Sequence, residues 1–111
     1  MPTINIYKST KEFDAKLFSL TPSLKKLVAK ELSGKSINLG VDEVSVRLIN
    51  VEGLGMLAKI ELEIHAAAFD ERVKKQDEIC LKIQAYLEEA LGTDVKVWLI
   101  LSELGHSWQN T

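Results

Sequence analysis

The sequence predicts a two-layer α+β fold in which two β-α-β units form a four-stranded sheet with two helices on one face. Two segments carry apolar residues at helical spacing, and four carry the alternation typical of half-buried strands. These segments follow one another as β-α-β and again β-α-β, so the chain reads as a repeat of residues 2–52 and 56–102. Because 111 residues suffice for one hydrophobic core, we expect a single domain over residues 1–111.

The first half is predicted to contain a strand over residues 3–7, helical structure after it, and a second strand over residues 43–51. Thr21-Pro22 predicts an interruption within the helical part, because threonine is a good N-cap and proline favours the first turn of a new helix. Gly34 is expected to end that helix. The predicted core residues of this half are Ile4, Ile6, Phe13, Leu17, Leu20, Leu24, Leu27, Val28, Leu32, Val44, Val46 and Leu48.

The second half repeats the plan with a strand from Leu57 to Ala67, one helix from Asp70 to Leu91 and a last strand from Val95 to Leu101. Gly92 is predicted to close the helix, and a polar tail runs from Glu103 to Thr111. The predicted core residues of this half are Ala58, Ile60, Leu62, Ile64, Ile79, Cys80, Ile83, Leu87, Ala90, Leu91, Val95, Val97, Leu99 and Leu101.

The composition is that of an ordinary globular protein, with 46% hydrophobic and 27% charged residues. A net charge of −2 provides no electrostatic argument for binding nucleic acid or an anionic membrane. Cys80 is the single cysteine, which rules out an internal disulfide and suggests a reducing compartment. The polar N-terminal stretch and the short apolar runs predict neither a signal peptide nor a bilayer span. We therefore expect a cytoplasmic protein.

The face of the sheet that points away from the helices is predicted to mix charged, polar and aromatic side chains. Such a face would lie in water in a monomer, whereas an oligomer would cover it and match its alternating charges across chains. The residues of this face are Asn5, Tyr7, Arg47, Lys59, Glu61, Glu63, His65, Lys96 and Trp98. Of these, Arg47, Lys59, Glu61 and Glu63 are expected at an interface or on a solvated face rather than in catalysis.

Pro2 directly follows Met1 and leads straight into the first predicted strand. If Met1 is removed, the ring nitrogen of Pro2 becomes a free secondary amine that can accept a proton. If Met1 stays, the same nitrogen is a tertiary amide with neither basicity nor an N–H group. One processing event therefore decides between a possible general base and an inert residue.

The opening Pro2-Thr3-Ile4-Asn5-Ile6-Tyr7 resembles that of the 4-oxalocrotonate tautomerases (4-OT). The doubled β-α-β plan is similar to that of the macrophage migration inhibitory factor (MIF) group of the same tautomerase superfamily. Ser33-Gly34-Lys35 and the run Val44-Ser45-Val46-Arg47-Leu48-Ile49 fall where that group has its helix end, a functional lysine and its second strand. Pro22 and the run Gln76-Asp77-Glu78-Ile79 look like a small bacterial branch of the superfamily.

This resemblance implies a homotrimer whose sheets pack around a central axis. It also implies a tautomerase, an isomerase that interconverts keto and enol forms of a small carboxylate substrate with Pro2 as general base. No metal and no organic cofactor are implied. Lys35 matches the lysine of the MIF pattern, and Trp98 lies where family members place an aromatic or amide side chain in the pocket. Arg72 follows the third strand much as a family arginine follows the first strand in the short tautomerases, so the resemblance makes it a substrate ligand.

Two positions depart from the pattern. The family arginine after the first strand falls on Glu12, and the arginine of the second strand falls on Ser45, with Arg47 one pleat further along the same face. Arg47 is therefore the remaining candidate on that strand. The departures count against activity on oxalocrotonate-like diacids.

Two non-catalytic alternatives remain open. The order β-α-β-β-α-β is also that of the ferredoxin-like fold, which small regulatory and ligand-binding modules use. The other alternative is a tautomerase-fold oligomer that has lost activity and serves in binding or structure. Residue periodicity does not separate these folds, since both bury one sheet face under two helices.

The remaining residues favour ordinary structural roles. His65 on a strand is expected to be structural, and Cys80 on a helix stripe is expected to be a core thiol. Gly53 and Gly55 belong to a turn without a phosphate-loop pattern. His106 has no second histidine or cysteine at metal-ligand spacing, so no metal site is predicted.

Overall fold

The computed structural model describes residues 2–35, 37–52 and 55–103. Gly53, His106 and Trp108 lie outside the described residues, as does most of the predicted polar tail. The strands are β1 (Thr3–Lys8), β2 (Ser45–Asn50), β3 (Ile60–Ala67) and β4 (Val95–Ser102). The helices are α1 (Asp14–Leu32), α2 (Asp70–Lys74) and α3 (Gln76–Leu91), and a short 3₁₀ turn spans Val41–Glu43.

The four strands form one sheet in the order β2-β1-β3-β4. β1 pairs with β2 in parallel, β3 pairs with β4 in parallel, and the antiparallel pair β1–β3 joins the two halves at the centre. Each half is thus a β-α-β unit with adjacent parallel strands, and the predicted α+β fold class is confirmed. The ferredoxin-like alternative is wrong, because that fold splits its β-α-β units by inserting a strand between the two parallel ones.

One hydrophobic cluster draws on both halves of the repeat. The alternate residues of β1 and β3 that face the helices are fully buried, including Ile4, Ile6, Leu62 and Ile64. Each such side chain contributes about 1.5–3 kcal/mol relative to an exposed one, so the sheet and the helices stabilise each other mainly through this layer. The helices contribute Leu17, Leu24, Val28, Leu32, Ile79, Ile83, Leu87 and Leu91.

The predicted interruption at Thr21-Pro22 is wrong, because α1 runs through it as one helix. Pro22 has no N–H to donate to the carbonyl of Phe18, which costs an interior helix about 3 kcal/mol. Burial of the continuous stripe exceeds that cost, since Leu17 before the proline and Leu24 after it are both 1% exposed. The Thr21 hydroxyl, expected to cap a new helix, donates instead to the carbonyl of Leu17 at 2.8 Å.

The predicted single helix over residues 70–91 is also wrong in detail, since Lys75 separates α2 from α3. The N–H of Lys75 donates to the carbonyl of Arg72, three residues back, and this tighter turn ends α2. Neither glycine nor proline lies at this break, so the residue pattern offers no sign of it. By contrast, Gly92 closes α3 in the left-handed conformation, with φ of 69°, as predicted.

A buried lysine was not anticipated from the sequence. Lys8, at the end of β1, points to the helix side, and 3% of its side chain is exposed. Its ammonium lies 2.6 Å from Oδ1 of Asp14 in the first turn of α1 and also donates to the side-chain oxygen of Asn50. The strand alternation makes position 8 a core position, and these two partners make a charged residue tolerable there.

Candidate functional site

The register of the strands defines which segments surround Pro2. Thr3 lies opposite Ser45 at the start of β2 and opposite His65 near the end of β3. Because α1 runs back along the sheet, its last residue Leu32 lies at this same end, and so does the start of α2. We refer to this region, where β2 and α2 begin and α1, β3 and β4 end, as the Pro2 end of the sheet.

Pro2 is buried at this end. Its carbonyl accepts a hydrogen bond from the N–H of Ser45 at 3.1 Å, which extends the β1–β2 pairing by one residue. By the alternation of β1, Pro2 belongs to the same side of the sheet as Ile4 and Ile6, the side covered by the helices. The structure thus places the candidate base beside the ends of the helices rather than on the mixed sheet face.

Arg72 reaches the same end, but its side chain points inward, with 5% of the residue exposed. Its Nε donates to the carbonyl of Leu32 and its Nη1 to the carbonyl of Ala67, both at 3.0 Å. The guanidinium carbon lies 4.8 Å from the ring centroid of Phe69. Burial lowers the pKa of Arg72 below its ordinary value. The sequence predicted a substrate ligand here, whereas the structure shows an arginine that joins the ends of α1 and β3.

Lys35 lies three residues beyond the end of α1 and is exposed. Its backbone N–H donates to Oε2 of Glu71 at 3.0 Å, which ties this segment to α2. The Glu71 carboxylate also lies against Gly34. The structure therefore brings Pro2, Lys35 and Arg72 to one end of the sheet.

A surface depression of about 420 Å³ lies at the beginning of α2. It is lined by Ala68, Phe69, Asp70 and Glu71. Its two carboxylates would repel an anionic substrate, so this depression does not favour the binding of a carboxylate.

Arg47 and Trp98 lie elsewhere, on the mixed face of the sheet. The register aligns Arg47, Asn5, Glu63 and Trp98 in a single row across all four strands. Trp98 is 37% exposed, and the Lys96 ammonium lies 5.9 Å from its ring centroid. Within one chain the sheet therefore separates these two predicted site residues from Pro2.

The mixed face contains a hydrogen-bonded group that the sequence did not predict. The Tyr7 hydroxyl donates to Oε1 of Glu63 at 2.8 Å, and the His65 ring lies 3.4 Å from the same oxygen. The hydrogen bond to Glu63 raises the pKa of Tyr7 above its ordinary value of 10.0, and burial adds to this effect. Tyr7 pairs directly with Glu61 and Asn5 with Glu63, so the Tyr7–Glu63 contact runs diagonally between β1 and β3 and follows from the register of the strands.

The same face has a second carboxylate with partners in its own chain. Oε2 of Glu61 accepts hydrogen bonds from the backbone N–H groups of Leu57 and Ala58. Glu61 and Glu63 were predicted to lie at an interface or on a solvated face. In the structure, both carboxylates accept hydrogen bonds from groups of their own subunit.

Metal and thiol chemistry find little support in the described part of the chain. No group of three or more histidine, cysteine, aspartate or glutamate side chains there is arranged to hold a metal ion. Burial raises the pKa of the Cys80 thiol above its ordinary value of 9.0, which disfavours the reactive thiolate. Within the same residues, no helix is long and apolar enough to cross a membrane.

Taken together, the strand order, the two-layer packing and the doubled β-α-β plan define a known fold: the chain has the tautomerase superfamily fold, of the MIF-like type. Solved structures with this fold resemble it over nearly its whole length. A MIF-like protein from Entamoeba histolytica is 14% identical, with 96% of this chain and 95% of that chain covered and a TM-score of 0.67. No family model and no curated protein matches the sequence.

Two further structures extend the comparison to enzymes. A fused wild-type 4-OT, described as an asymmetric trimer, is 14% identical over 96% of this chain and 94% of its own, with a TM-score of 0.69. A malonate semialdehyde decarboxylase is 13% identical over 97% of this chain and 92% of its own, with a TM-score of 0.60. At these identities the similarity establishes the fold, and the resemblance drawn from the sequence is confirmed at that level.

Proposed function

We propose that this chain is a tautomerase of the isomerase class, with Pro2 as the general base after removal of Met1. The observation that supports this most is the position of Pro2, buried directly before the central strand β1, at the end of the sheet where α1, β3 and β4 end. A buried amine is favoured in its neutral form, which is the form that accepts a proton. The fold, shared with a fused 4-OT and a MIF-like protein, adds support.

The substrate class that we propose is a small keto or enol carboxylate. Lys35 is the cation assigned to its carboxylate, since it is exposed at the Pro2 end and its backbone is held in place by Glu71. A cation there would also stabilise negative charge that develops on an enolate oxygen. The proton transfer needs only the amine and this cation, so the proposal includes no metal or organic cofactor.

We further propose that the chain assembles as a trimer through the mixed face of its sheet. Trp98 and Ile100 expose apolar surface at the β4 edge of this face, and Arg47 is exposed at the opposite edge, on β2. Assembly would bury that surface, and it would allow Arg47 and Trp98 to serve the site of a neighbouring subunit, which they do not reach in their own. The fused 4-OT is described as a trimer.

The second candidate function is a tautomerase-fold protein without catalysis, which binds a ligand or serves in structure. The observation that favours it is the engagement of Arg72, whose Nε and Nη1 already donate to two carbonyls. With Glu12 and Ser45 at the two positions where the family has arginines, Lys35 would be the remaining cation that the resemblance assigns to a substrate at the Pro2 end.

The state of the N-terminus is the first test. Intact mass spectrometry of the protein from cells measures whether Met1 is removed, and we expect the processed form. Complete retention of Met1 would rule out catalysis by Pro2, because an amide nitrogen has no basicity.

The second test is the conversion of phenylenolpyruvate from enol to ketone. We expect Pro2→Ala to lower the rate at least about 100-fold, because a positioned general base contributes roughly 10²–10⁴. Thr3→Val is the matched control: it alters the next residue, whose hydroxyl contacts only the Ser45 hydroxyl among the described residues, and it should retain the wild-type rate within about twofold. Equal rates for wild type and Pro2→Ala would favour the non-catalytic candidate.

A further inference from the structure

We propose that Glu71 and Arg72 are positioning residues that latch the segment after α1 to the beginning of α2 and thereby hold Lys35 at the Pro2 end. The consequence for catalysis rests on the proposed function, whereas the latch itself does not. The role differs from substrate binding, since neither side chain needs to touch a substrate.

The first half of the latch is the closure of α1 by Arg72. The last carbonyls of a helix have no partner within the helix, and Leu32 is the final residue of α1. The N–H of Ser33 turns back to Ala29 and Lys30, and the Leu32 carbonyl instead receives Nε of Arg72 at 3.0 Å. A cation at the C-terminus of a helix is also favoured by the helix dipole.

The end of α3 in the second half differs from the end of α1 in backbone direction. There Gly92 adopts the left-handed conformation, with its N–H on the carbonyl of Glu88. Ser33 donates in the same way to Ala29, but it is extended, with φ of −80° and ψ of 154°, so the chain leaves α1 along a different path. On that path the carbonyl of Leu32 receives its donor from Arg72 in the other half of the repeat.

The second half of the latch is the contact between Glu71 and the segment that follows. Oε2 of Glu71 accepts the N–H of Lys35, and the carboxylate occupies the space that a β-carbon on Gly34 would fill. Gly34 in turn donates its N–H to the carbonyl of Ile37 at 2.7 Å, which forms the turn around Lys35. The carboxylate thus fixes the backbone from which the Lys35 side chain projects.

The two hydrogen bonds of Arg72 require an arginine at this position. The planar guanidinium of Arg72 places two N–H donors on two carbonyls from different elements, Leu32 of α1 and Ala67 of β3. A lysine ammonium is a point charge on a flexible stem and does not reproduce this fork. Truncation of Arg72 would leave both carbonyls without their donor in a buried place, which is costly.

The test is amide hydrogen exchange of Lys35, read by NMR in the full-length protein. We expect Glu71→Ala to speed exchange about tenfold, because a hydrogen bond to a charged acceptor shifts the local opening equilibrium by about that factor. Glu71→Gln retains an oxygen acceptor and should restore most of the protection. Lys74→Met is the control, since Lys74 is exposed on the same short helix and its loss should leave Lys35 unchanged. Arg72→Lys should speed exchange throughout residues 33–35.

The kinetic readout is the KM for phenylenolpyruvate. We expect Glu71→Ala and Arg72→Lys to raise KM several-fold with a smaller effect on kcat, and to leave the pH dependence set by Pro2 in place. Unchanged exchange in Glu71→Ala, or equal acceleration in Lys74→Met, would overturn the latch. Faster exchange with an unchanged KM would overturn the positioning of Lys35. If wild type has no activity, faster exchange still supports the latch, and only the proposed function fails.

Discussion

Gly34 lies so close to Glu71 that a β-carbon at position 34 would overlap with the Glu71 carboxylate oxygen Oε2. The two residues belong to different halves of the repeat. Their contact, together with the hydrogen bond from Lys35 to the same oxygen, ties the end of the first β-α unit to the beginning of the second helical region.

This contact predicts a non-additive pair of substitutions. Gly34→Ala should destabilise the protein by about 1 kcal/mol, because the new methyl group displaces the carboxylate from the Lys35 N–H. The backbone at Gly34 is not left-handed, so in a Glu71→Ala background the same change should be neutral or slightly stabilising. Denaturant unfolding of the four proteins measures this coupling, and strictly additive effects would contradict it.

Pro22→Ala is expected to stabilise the protein by about 1–2 kcal/mol. The alanine restores an N–H that can donate to the Phe18 carbonyl within α1, and the gain is reduced by the greater freedom of the unfolded chain. Pro22 is exposed, so little packing is lost. Thermal unfolding of Pro22→Ala beside Ser23→Ala, an exposed neighbour, provides the measurement. A lower melting temperature for Pro22→Ala would show that the ring stabilises α1 in another way.

The buried ion pair between Lys8 and Asp14 should respond unequally to loss of each partner. Asp14→Ala leaves an ammonium whose side chain is 3% exposed, with Asn50 as its one remaining partner among the described residues, and should cost about 2–3 kcal/mol. Lys8→Met leaves a carboxylate whose Oδ1 is buried but whose side chain as a whole is 30% exposed, and should cost less, about 1–2 kcal/mol. Urea unfolding of both variants tests the order. If Lys8→Met proves the more damaging, the carboxylate depends on the ion pair more than its exposure implies.

The Tyr7–Glu63 hydrogen bond predicts a pH dependence in the alkaline range. Because the folded-state pKa of Tyr7 is raised above 10.0, its contribution to stability is present below pH 10 and is lost as the pH rises through that folded-state pKa. Glu63→Gln removes the anionic acceptor and should shift the Tyr7 titration down toward 10. Tyrosinate absorbance measures the titration, and Tyr7→Phe isolates the signal of Tyr86. Identical curves for wild type and Glu63→Gln would contradict the assignment.

Assembly through the mixed sheet face can be tested without disturbing the subunit. Glu61 and Glu63 have partners in their own chain, so Arg47→Glu is the cleaner variant: Arg47 is exposed and lies at the edge strand β2. We expect the trimer of wild type to dissociate in Arg47→Glu, as measured by sedimentation or native mass spectrometry. Lys74→Glu, a charge reversal on α2, should assemble as wild type does. A wild-type monomer would refute the trimer.

The failures of prediction have local physical causes. Thr21-Pro22 has the residues of a helix start, yet the apolar stripe from Leu17 to Leu24 continues in phase, and burial of that stripe outweighs one missing hydrogen bond. The break at Lys75 arises where α2 turns Arg72 inward, and no residue type announces it. Pairing on the mixed face, such as that of Tyr7 with Glu63, depends on register, which alternation within one strand does not specify.

The two-layer architecture, the strand faces and the place of Pro2 directly before β1 could be predicted from the sequence, because all three follow from the periodicity of apolar residues along the chain. The choice between adjacent and split β-α-β units follows only from the three-dimensional structure, and so do the engagement of Arg72 with two backbone carbonyls and the separation of Arg47 and Trp98 from Pro2. Those outcomes depend on which backbone carbonyls, carboxylates and strand neighbours meet in space. Contacts between residues distant along the chain are fixed by packing. The type of a charged residue does not reveal whether its side chain already forms hydrogen bonds with such a distant residue.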